Sequence, residues 1–372
     1  MKHWRNFDLQ LVGLPLGLVT FGIFVLFAIS RWPESGVTTS TPVHQVLYAM
    51  MGLAGMFVLT NLDYRLLRSF ALPLFTLNLM LLGVVLAIGH SAYGAQRWIN
   101  LGILPLQPSE PAKLLLVVVL AKFFAERENE VERVGTLARS LVFVLIPAGM
   151  VLYQPDLGTS AVFFAIWVGM ALMAGVRLSH LAALGAMCAA VMPVAWAVMG
   201  HVKRFQYMQD RLLIFLNPNK DPLGAGYNVI HSQITIGSGG IGGNWFQAGT
   251  QSQLGLLRVE DKDFIFSVIS EQIGFIGVLI LFAGLVMLLM RIARVAFMSA
   301  DSFGRLLATG ILSMIMFQVF VNVGMNLGLM PVTGIPLPLL SYGGSSLITT
   351  LASFGILQSI LLRHQKLVFA AG

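Results

Sequence analysis

Apolar runs of close to twenty residues, separated by short polar interruptions, dominate the chain. Ten are read, near 9–29, 43–61, 70–89, 109–125, 140–153, 158–175, 181–200, 264–290, 306–329 and 345–362. A helix of about 20 residues crosses a hydrocarbon layer about 30 Å thick, and only a helix or a closed barrel satisfies its backbone there. The pattern predicts an all-α, polytopic membrane protein with about ten transmembrane helices. The fifth run is short and leads into Tyr153-Gln154-Pro155-Asp156, which predicts a tilted or partly re-entrant segment. The eighth reads as one apolar segment with no break. No internal repeat is read, which weighs against an inverted-repeat transporter.

The rhythm stops between residues 201 and 262. Glycines and prolines alternate there with apolar anchors such as Phe205, Leu212, Phe215, Tyr227, Ile230, Trp245 and Phe246, which is not the composition of a disordered linker. The expectation is one integral membrane domain, 1–372, with 201–262 as a large extracytoplasmic loop between helices 7 and 8. Within the loop, short amphipathic helices and turns are expected to lie on the outer membrane face.

Composition excludes an ordinary soluble domain: of 372 residues, 57% are hydrophobic and only 10% charged. The net charge of +7 does not require nucleic acid. Lysines and arginines gather at one set of helix ends, at Lys2, Arg5, Arg65, Arg68, Lys122, Arg127, Arg133, Arg139, Arg177, Arg291, Arg294, Arg305, Arg363 and Lys366. The opposite short loops carry only Arg31, Arg97 and Lys113. That bias puts both termini in the cytoplasm. The first apolar run lacks a small-residue cleavage site and reads as a span rather than a signal peptide. Cys188 stands alone in an apolar run and forms no intrachain disulfide.

Candidate chemistry begins at Leu257–Gly274, where Arg258, Glu260, Asp261, Lys262 and Asp263 precede an apolar helix. A helix starting near Asp263 places Asp263, Ser267, Ser270 and Glu271 on one face. Eight residues of helix span about 12 Å, too far for one two-carboxylate site. Asp263 at the boundary is therefore the candidate for chemistry and Glu271 for structural support, neutral or paired with a lysine such as Lys113. The plainer reading of Asp263 is a helix cap.

Glu110 and Lys113, in Gln107-Pro108-Ser109-Glu110-Pro111-Ala112-Lys113, share a helix face at the membrane boundary, with Ser109 able to cap. Asp156 reads equally well as an N-cap and as a functional group. Lys203, Arg204 and Arg211 singly suit contacts with lipid headgroups, and together with Lys113, Arg97 and Arg258 they can surround a pyrophosphate. Gly237, Gly239 and Gly242 spell G-x-G-x-x-G without a βαβ context, so no dinucleotide site is inferred. There is no zinc-type cluster, Ser-His-Asp constellation or Walker loop.

Four stretches carry a resemblance: Pro331–Ser346 (PVTGIPLPLLSYGGSS), Gly224–Gly240 (GAGYNVIHSQITIGSGG), Asp263–Phe266 (DFIF) and Gln107–Glu110 (QPSE). Through them the chain resembles, over nearly its whole length, the SEDS (shape, elongation, division and sporulation) family. Its short N-terminus and compact length are more similar to the rod-shape members than to the division members. The resemblance implies a glycosyltransferase of the bacterial inner membrane that polymerises lipid II into peptidoglycan during cell-wall elongation. It also implies a class B penicillin-binding protein as partner. The family's essential aspartate falls on Asp263, and its other sensitive positions fall on Trp98, Glu110, Lys113 and Asp156. Pro111 departs from the family pattern and is expected to alter the start of the fourth span without removing either charge.

For that substrate, a sugar hydroxyl attacks an anomeric carbon as pyrophosphate leaves, with inversion from an α-linked donor to a β-1,4 glycan. Asp263 is expected to act as general base or as the carboxylate that holds a divalent cation, Mg or Mn. The competing functions are a lipid II flippase and a non-catalytic scaffold for the penicillin-binding protein. A flippase needs polar groups through the full membrane depth, whereas here they concentrate at one boundary, which favours the enzyme.

Overall fold

The computed structural model describes residues 7–32, 37–88, 90–92, 95–100, 105–201, 203–222, 224, 226–246, 251–252, 254–257 and 261–363. Eight of its helices are long and apolar enough to cross a membrane. They are α1 (Leu9–Ile29), α2 (Ser40–Asn61), α3 (Tyr64–Ile88), α5 (Val134–Tyr153), α6 (Leu157–Ala174), α10 (Ile265–Met298), α11 (Ser302–Asn326) and α12 (Gly344–Leu362). Two more, α4 (Ser109–Ala125) and α7 (Leu178–His201), occupy the remaining expected segments. The fold is that of an all-α polytopic membrane protein. A small antiparallel sheet, β1 (His90–Ala92), β2 (Ala95–Asn100) and β3 (Pro105–Leu106), lies between α3 and α4.

Local chemistry sets the helix ends. Asp8 accepts from the backbone N–H groups of Gln10 and Leu11 at the start of α1, and Asp301 accepts from Gly304 N–H at the start of α11. Gly175, at φ 95°, closes α6 in the left-handed region. The fifth span differs from expectation. α5 runs for 20 residues from Val134, because Arg139 interrupts the apolar run in sequence but points out from an otherwise regular helix.

α12 is the centre of the bundle, with 89% of its span buried against 28% for α10. Close approach at small residues holds the centre together, since water gives no hydrophobic drive between helices in lipid. A Cβ on Gly355 of α12 would stand 2.5 Å from the Met56 carbonyl of α2, and one on Gly310 of α11 would meet Val117 of α4 at 2.5 Å.

One expectation is sharpened and one corrected between α7 and α10. α8 (Lys203–Leu216) is an amphipathic helix beside α7, and α9 (Tyr227–Ser238) sets one face into the bundle while Ile234 stays exposed on the other. It packs against α10 and α11 with Ser232 and Thr235 fully buried. Burial is tolerated because its hydroxyls are satisfied: Ser232 Oγ bonds the Asn326 carbonyl at 2.8 Å and Ser267 Oγ at 2.6 Å.

The correction is that α10 is broken at Gly274 (φ 64°, ψ −173°). A broken membrane helix must satisfy its freed backbone elsewhere in the protein. Residues 240–246 do this. Phe275 N–H donates to Gly240 O (2.9 Å), Ile276 N–H to Ile241 O (3.2 Å), and the N–H groups of Asn244 and Trp245 donate to Glu271 O (3.1 Å) and Gln272 O (2.9 Å). The approach is so close that a Cβ on Gly274 would lie 2.2 Å from Gly243 N, and one on Gly243 would lie 2.4 Å from Gln272 O.

Candidate functional site

Asp263 sits in a turn just before α10, which begins at Ile265 with Phe264 as its cap. It therefore neither belongs to the helix nor caps it. Its position is fixed through its backbone: its carbonyl accepts from Asn322 Nδ2 and Asn326 Nδ2 of α11, both at 3.0 Å. Asn322 Nδ2 also reaches Ile335 O (2.8 Å), and Asn326 Oδ1 accepts from Ser267 Oγ (2.5 Å). The residues just before Asp263 are tied to the segment ahead of α12. Ser341 Oγ donates to Lys262 O (2.6 Å), and Tyr342 N–H donates to Asp261 O (2.8 Å). Gln45 of α2 holds this segment from the other side, donating to Ser341 O (3.1 Å) and accepting from Gly343 N–H (3.2 Å).

The Asp263 carboxylate faces a glycine floor. Gly334 has φ 74°, and a Cβ on it would stand 3.6 Å from Asp263 Oδ2 and 3.7 Å from Arg211 Nη1. Arg211 comes from α8 and donates to Val332 O at 3.0 Å. The residue keeps some accessible surface, yet the carboxyl lies deep enough for burial to dominate its titration and push its pKa up to about 6. Arg211, Lys262 and Arg97 oppose that rise, and the neighbouring Asp261 adds to it. Burial likewise raises the pKa of Asp261, against the pull of Lys262.

Arg97 stands on β2. Its Nε donates to Gln154 O at 3.2 Å, its Nη2 donates to Pro155 O, and its Nη1 lies 3.7 Å from Asp156 Oδ2. Asp156 also caps α6 by accepting from Thr159 N–H at 3.0 Å, so the cap reading holds and the same carboxylate is paired with Arg97. Trp98 follows on β2, in register with His90 and partly exposed. Glu110 and Lys113 form an ion pair of 2.8 Å in which they are 3% and 2% exposed. Lys113 thus pairs within α4 rather than with Glu271. Ser109 does not cap α4; it is the first helical residue, and its buried hydroxyl has no partner among the described residues. α4 opens beside α12, since Gln107 N–H donates to Ser345 Oγ at 2.9 Å.

Glu271 is fully buried and holds the loop. Its carboxylate accepts from Gln251 N–H (2.7 Å), Ser252 N–H (3.2 Å) and Ser238 Oγ (3.1 Å), and also from Ser252 Oγ. Lys203 and Arg204 open α8, but their side chains, like the whole of Arg258 and Glu260, lie outside the described residues. Asn322, Asn326, Gln45 and Ser341 were not singled out in the sequence. The asparagines had a signal, an i, i+4 pair of amides on one face of an apolar span.

Apolar helices with a carboxylate at one end, under the charges of cations from three separate segments, define a multi-pass membrane protein with a polar cluster at one end of its bundle. The cell cycle protein family of FtsW, RodA and SpoVE matches residues 9–366. The chain belongs to that family, as the resemblance implies. The peptidoglycan glycosyltransferase MrdB of Escherichia coli strain K12 is 37% identical over 351 residues, covering 94% of this chain and 93% of the relative. A solved chain from a peptidoglycan synthase complex that coordinates polymerization and crosslinking superposes with a TM-score of 0.82 at 35% identity, covering 97% of this chain and 99% of that one. The rod shape determining protein RodA of Thermus thermophilus gives 0.70 at 31% identity, with 97% of each chain covered.

Proposed function

We propose that the chain works as a peptidoglycan glycosyltransferase that polymerises lipid II, with Asp263 as the general base. The observation that carries this reading is a single carboxylate on which Arg97, Arg211 and Lys262 all act, with its pKa lifted to about 6. A base with a pKa near the working pH is ionised yet still able to take a proton. In the step proposed, the Asp263 carboxylate accepts the proton of the attacking sugar hydroxyl. The oxygen bonds to the anomeric carbon of the donor, and the bond from that carbon to the pyrophosphate breaks with inversion. The lipid pyrophosphate departs with the bonding electrons, and in this reading Arg97, Arg211 and Lys262 neutralise it.

Among the described residues no three His, Cys, Asp or Glu side chains gather into a closed metal site. Asp263 and Asp261 are two carboxylates whose charges interact, a donor set that fits Mg²⁺ or Mn²⁺ shared with substrate phosphates and water. A bound ion there would supply further neutralisation of the pyrophosphate.

The proposed setting is the bacterial inner membrane, with both termini cytoplasmic and Asp263 on the outer side. The bias of Lys and Arg toward the opposite helix ends supports this orientation. The proposed partner is a class B penicillin-binding protein that crosslinks the strands, and the similarity to a chain from a peptidoglycan synthase complex supports it. The test is fluorescent lipid II incubated with the full-length protein and its transpeptidase, with moenomycin present to silence classical glycosyltransferases. Wild type makes polymer and Asp263→Asn does not. Normal polymer from Asp263→Asn removes the base, and an absence of polymer from a folded wild-type complex moves the reading to a flippase or a scaffold.

A further inference from the structure

A second polar site lies at the opposite end of the bundle from Asp263. α5 ends beside Asp156 and Arg97, so its start, like the end of α4, lies a full span away from the active mouth. A cavity of about 380 Å³ opens there between α3, α4 and α5. Leu72, Val119, Phe123, Val142 and Phe143 form its apolar wall, and Lys122, Arg127 and Arg139 are its cations. The volume falls within the ~300–1,000 Å³ typical of ligand pockets.

Charge bias at inner helix ends is ordinary, but three features here go beyond it. First, Glu126, the acid of the cavity, is engaged by Arg68 from outside at 3.6 Å, so the three cations that line the space outnumber its acid and that acid is already paired. Second, Lys122 and Arg139 have no ion pair or side-chain hydrogen bond among the described residues, whereas Arg133 and Arg177 at the same end pair with Glu130 and Glu132. Third, the wall opens sideways: Leu72 and Val142 are 46% and 51% exposed on the lipid-facing surface. Arg127 is held over the Phe123 ring at 4.3 Å, which aims its guanidinium without consuming its charge.

We propose that this cavity binds an anionic phospholipid of the adjoining leaflet. The phosphodiester sits among Lys122, Arg127 and Arg139, and the acyl chains leave along Leu72 and Val142. Basic pockets between transmembrane helices suit such headgroups, and the sideways apolar opening suits a lipid rather than a soluble anion. The site is independent of the glycosyltransferase reading.

The test uses full-length protein in mild detergent, with phosphatidylglycerol as probe, phosphatidylethanolamine as zwitterionic reference and native mass spectrometry as readout. Wild type retains phosphatidylglycerol over the reference. Lys122→Gln and Arg139→Gln each weaken that retention by about fivefold. Arg133→Gln and Arg177→Gln, at the same end but outside the cavity, leave it unchanged. Val142→Trp fills the cavity with every charge kept and also weakens retention, which guards against a folding defect in the charge variants. Equal loss from the outside arginines, full retention in Val142→Trp, or displacement of the lipid by an equal concentration of inorganic phosphate each overturns the proposal.

Discussion

Asn326 of α11 donates its side-chain amide to the backbone carbonyl of Asp263 at 3.0 Å, and Asn322, one turn earlier, donates to the same oxygen at the same distance. The proposed base is therefore placed by its main chain, and its carboxylate stays available for other work. Removing either amide takes one of two donors from this carbonyl and also deprives a second buried partner, Ile335 O for Asn322 and Ser267 Oγ for Asn326, at a cost of about 1–3 kcal/mol. Asn326→Ala and Asn322→Ala are expected to lower the turnover of lipid II about tenfold at little change in KM, because a small misplacement of a catalytic group is costly. A stability loss with unchanged turnover would show that the asparagines serve the fold alone.

Rate and stability should respond to pH in opposite directions at Asp263. With its pKa raised to about 6, polymerisation rises as pH passes through 6 and levels off above it. Arg211→Gln removes a cation that lowers this pKa, so the rising limb moves to higher pH. Between about 4, the unfolded value for an aspartate, and about 6 the folded protein holds a proton that the unfolded chain has lost. Stability therefore falls as pH rises through that window, by up to about 3 kcal/mol. Thermal unfolding at pH 4 and pH 8 should show this loss in wild type and a smaller one in Asp263→Asn.

The buried Glu110–Lys113 pair should be more fragile singly than doubly substituted. Taking one partner from a 2.8 Å pair that is almost fully buried strands the other charge, at about 3–5 kcal/mol. Glu110→Gln and Lys113→Met are each expected to lower the unfolding temperature sharply, and the double variant to recover much of the loss. A double-mutant cycle in detergent settles it, and additive losses would mean that the two charges are not coupled.

Gly274 and Gly243 should each refuse alanine, while Gly242 should accept it. A methyl on either of the first two would stand within 2.5 Å of backbone, at a positive φ that itself costs about 1–3 kcal/mol for a residue other than glycine. Nothing lies within 4 Å of a Cβ on Gly242. Yield of folded protein across the three variants is the readout, and a normal yield for Gly274→Ala would mean that the break can be straightened.

The apolar segments were legible, and eight of them return as helices long and apolar enough to span, because burial in lipid writes itself into sequence as long apolar runs. Asp263 drew notice in the sequence because a carboxylate at the edge of such a run stands out. What stayed hidden depends on main chain meeting main chain. Hydropathy reads side chains, so the break at Gly274 looked like any glycine in a span. α9 looked like a surface helix because its buried serine and threonine are polar by type; Ser232 finds its partners only across the fold, on Asn326 and Ser267, and Thr235 within its own helix, on His231 O. The Gly237–Gly242 pattern resembled a nucleotide motif, yet the glycines that matter, Gly239 and Gly243, serve close contact with α10. Asp156 resisted a single reading because it both caps a helix and meets Arg97.

The closure of α10 also bears on the order in which the protein is made. The carbonyls of Gly240 and Ile241, which receive Phe275 and Ile276, precede them in the chain and leave the ribosome first. A growing polypeptide therefore already holds the acceptors when the vulnerable part of α10 appears. The two lie about 35 residues apart, so the loop that must close is short and its entropic penalty modest. Synthesis in the reverse order, as in a circular permutant that places α10 ahead of α9, would expose the unpaired backbone to lipid until the end of translation.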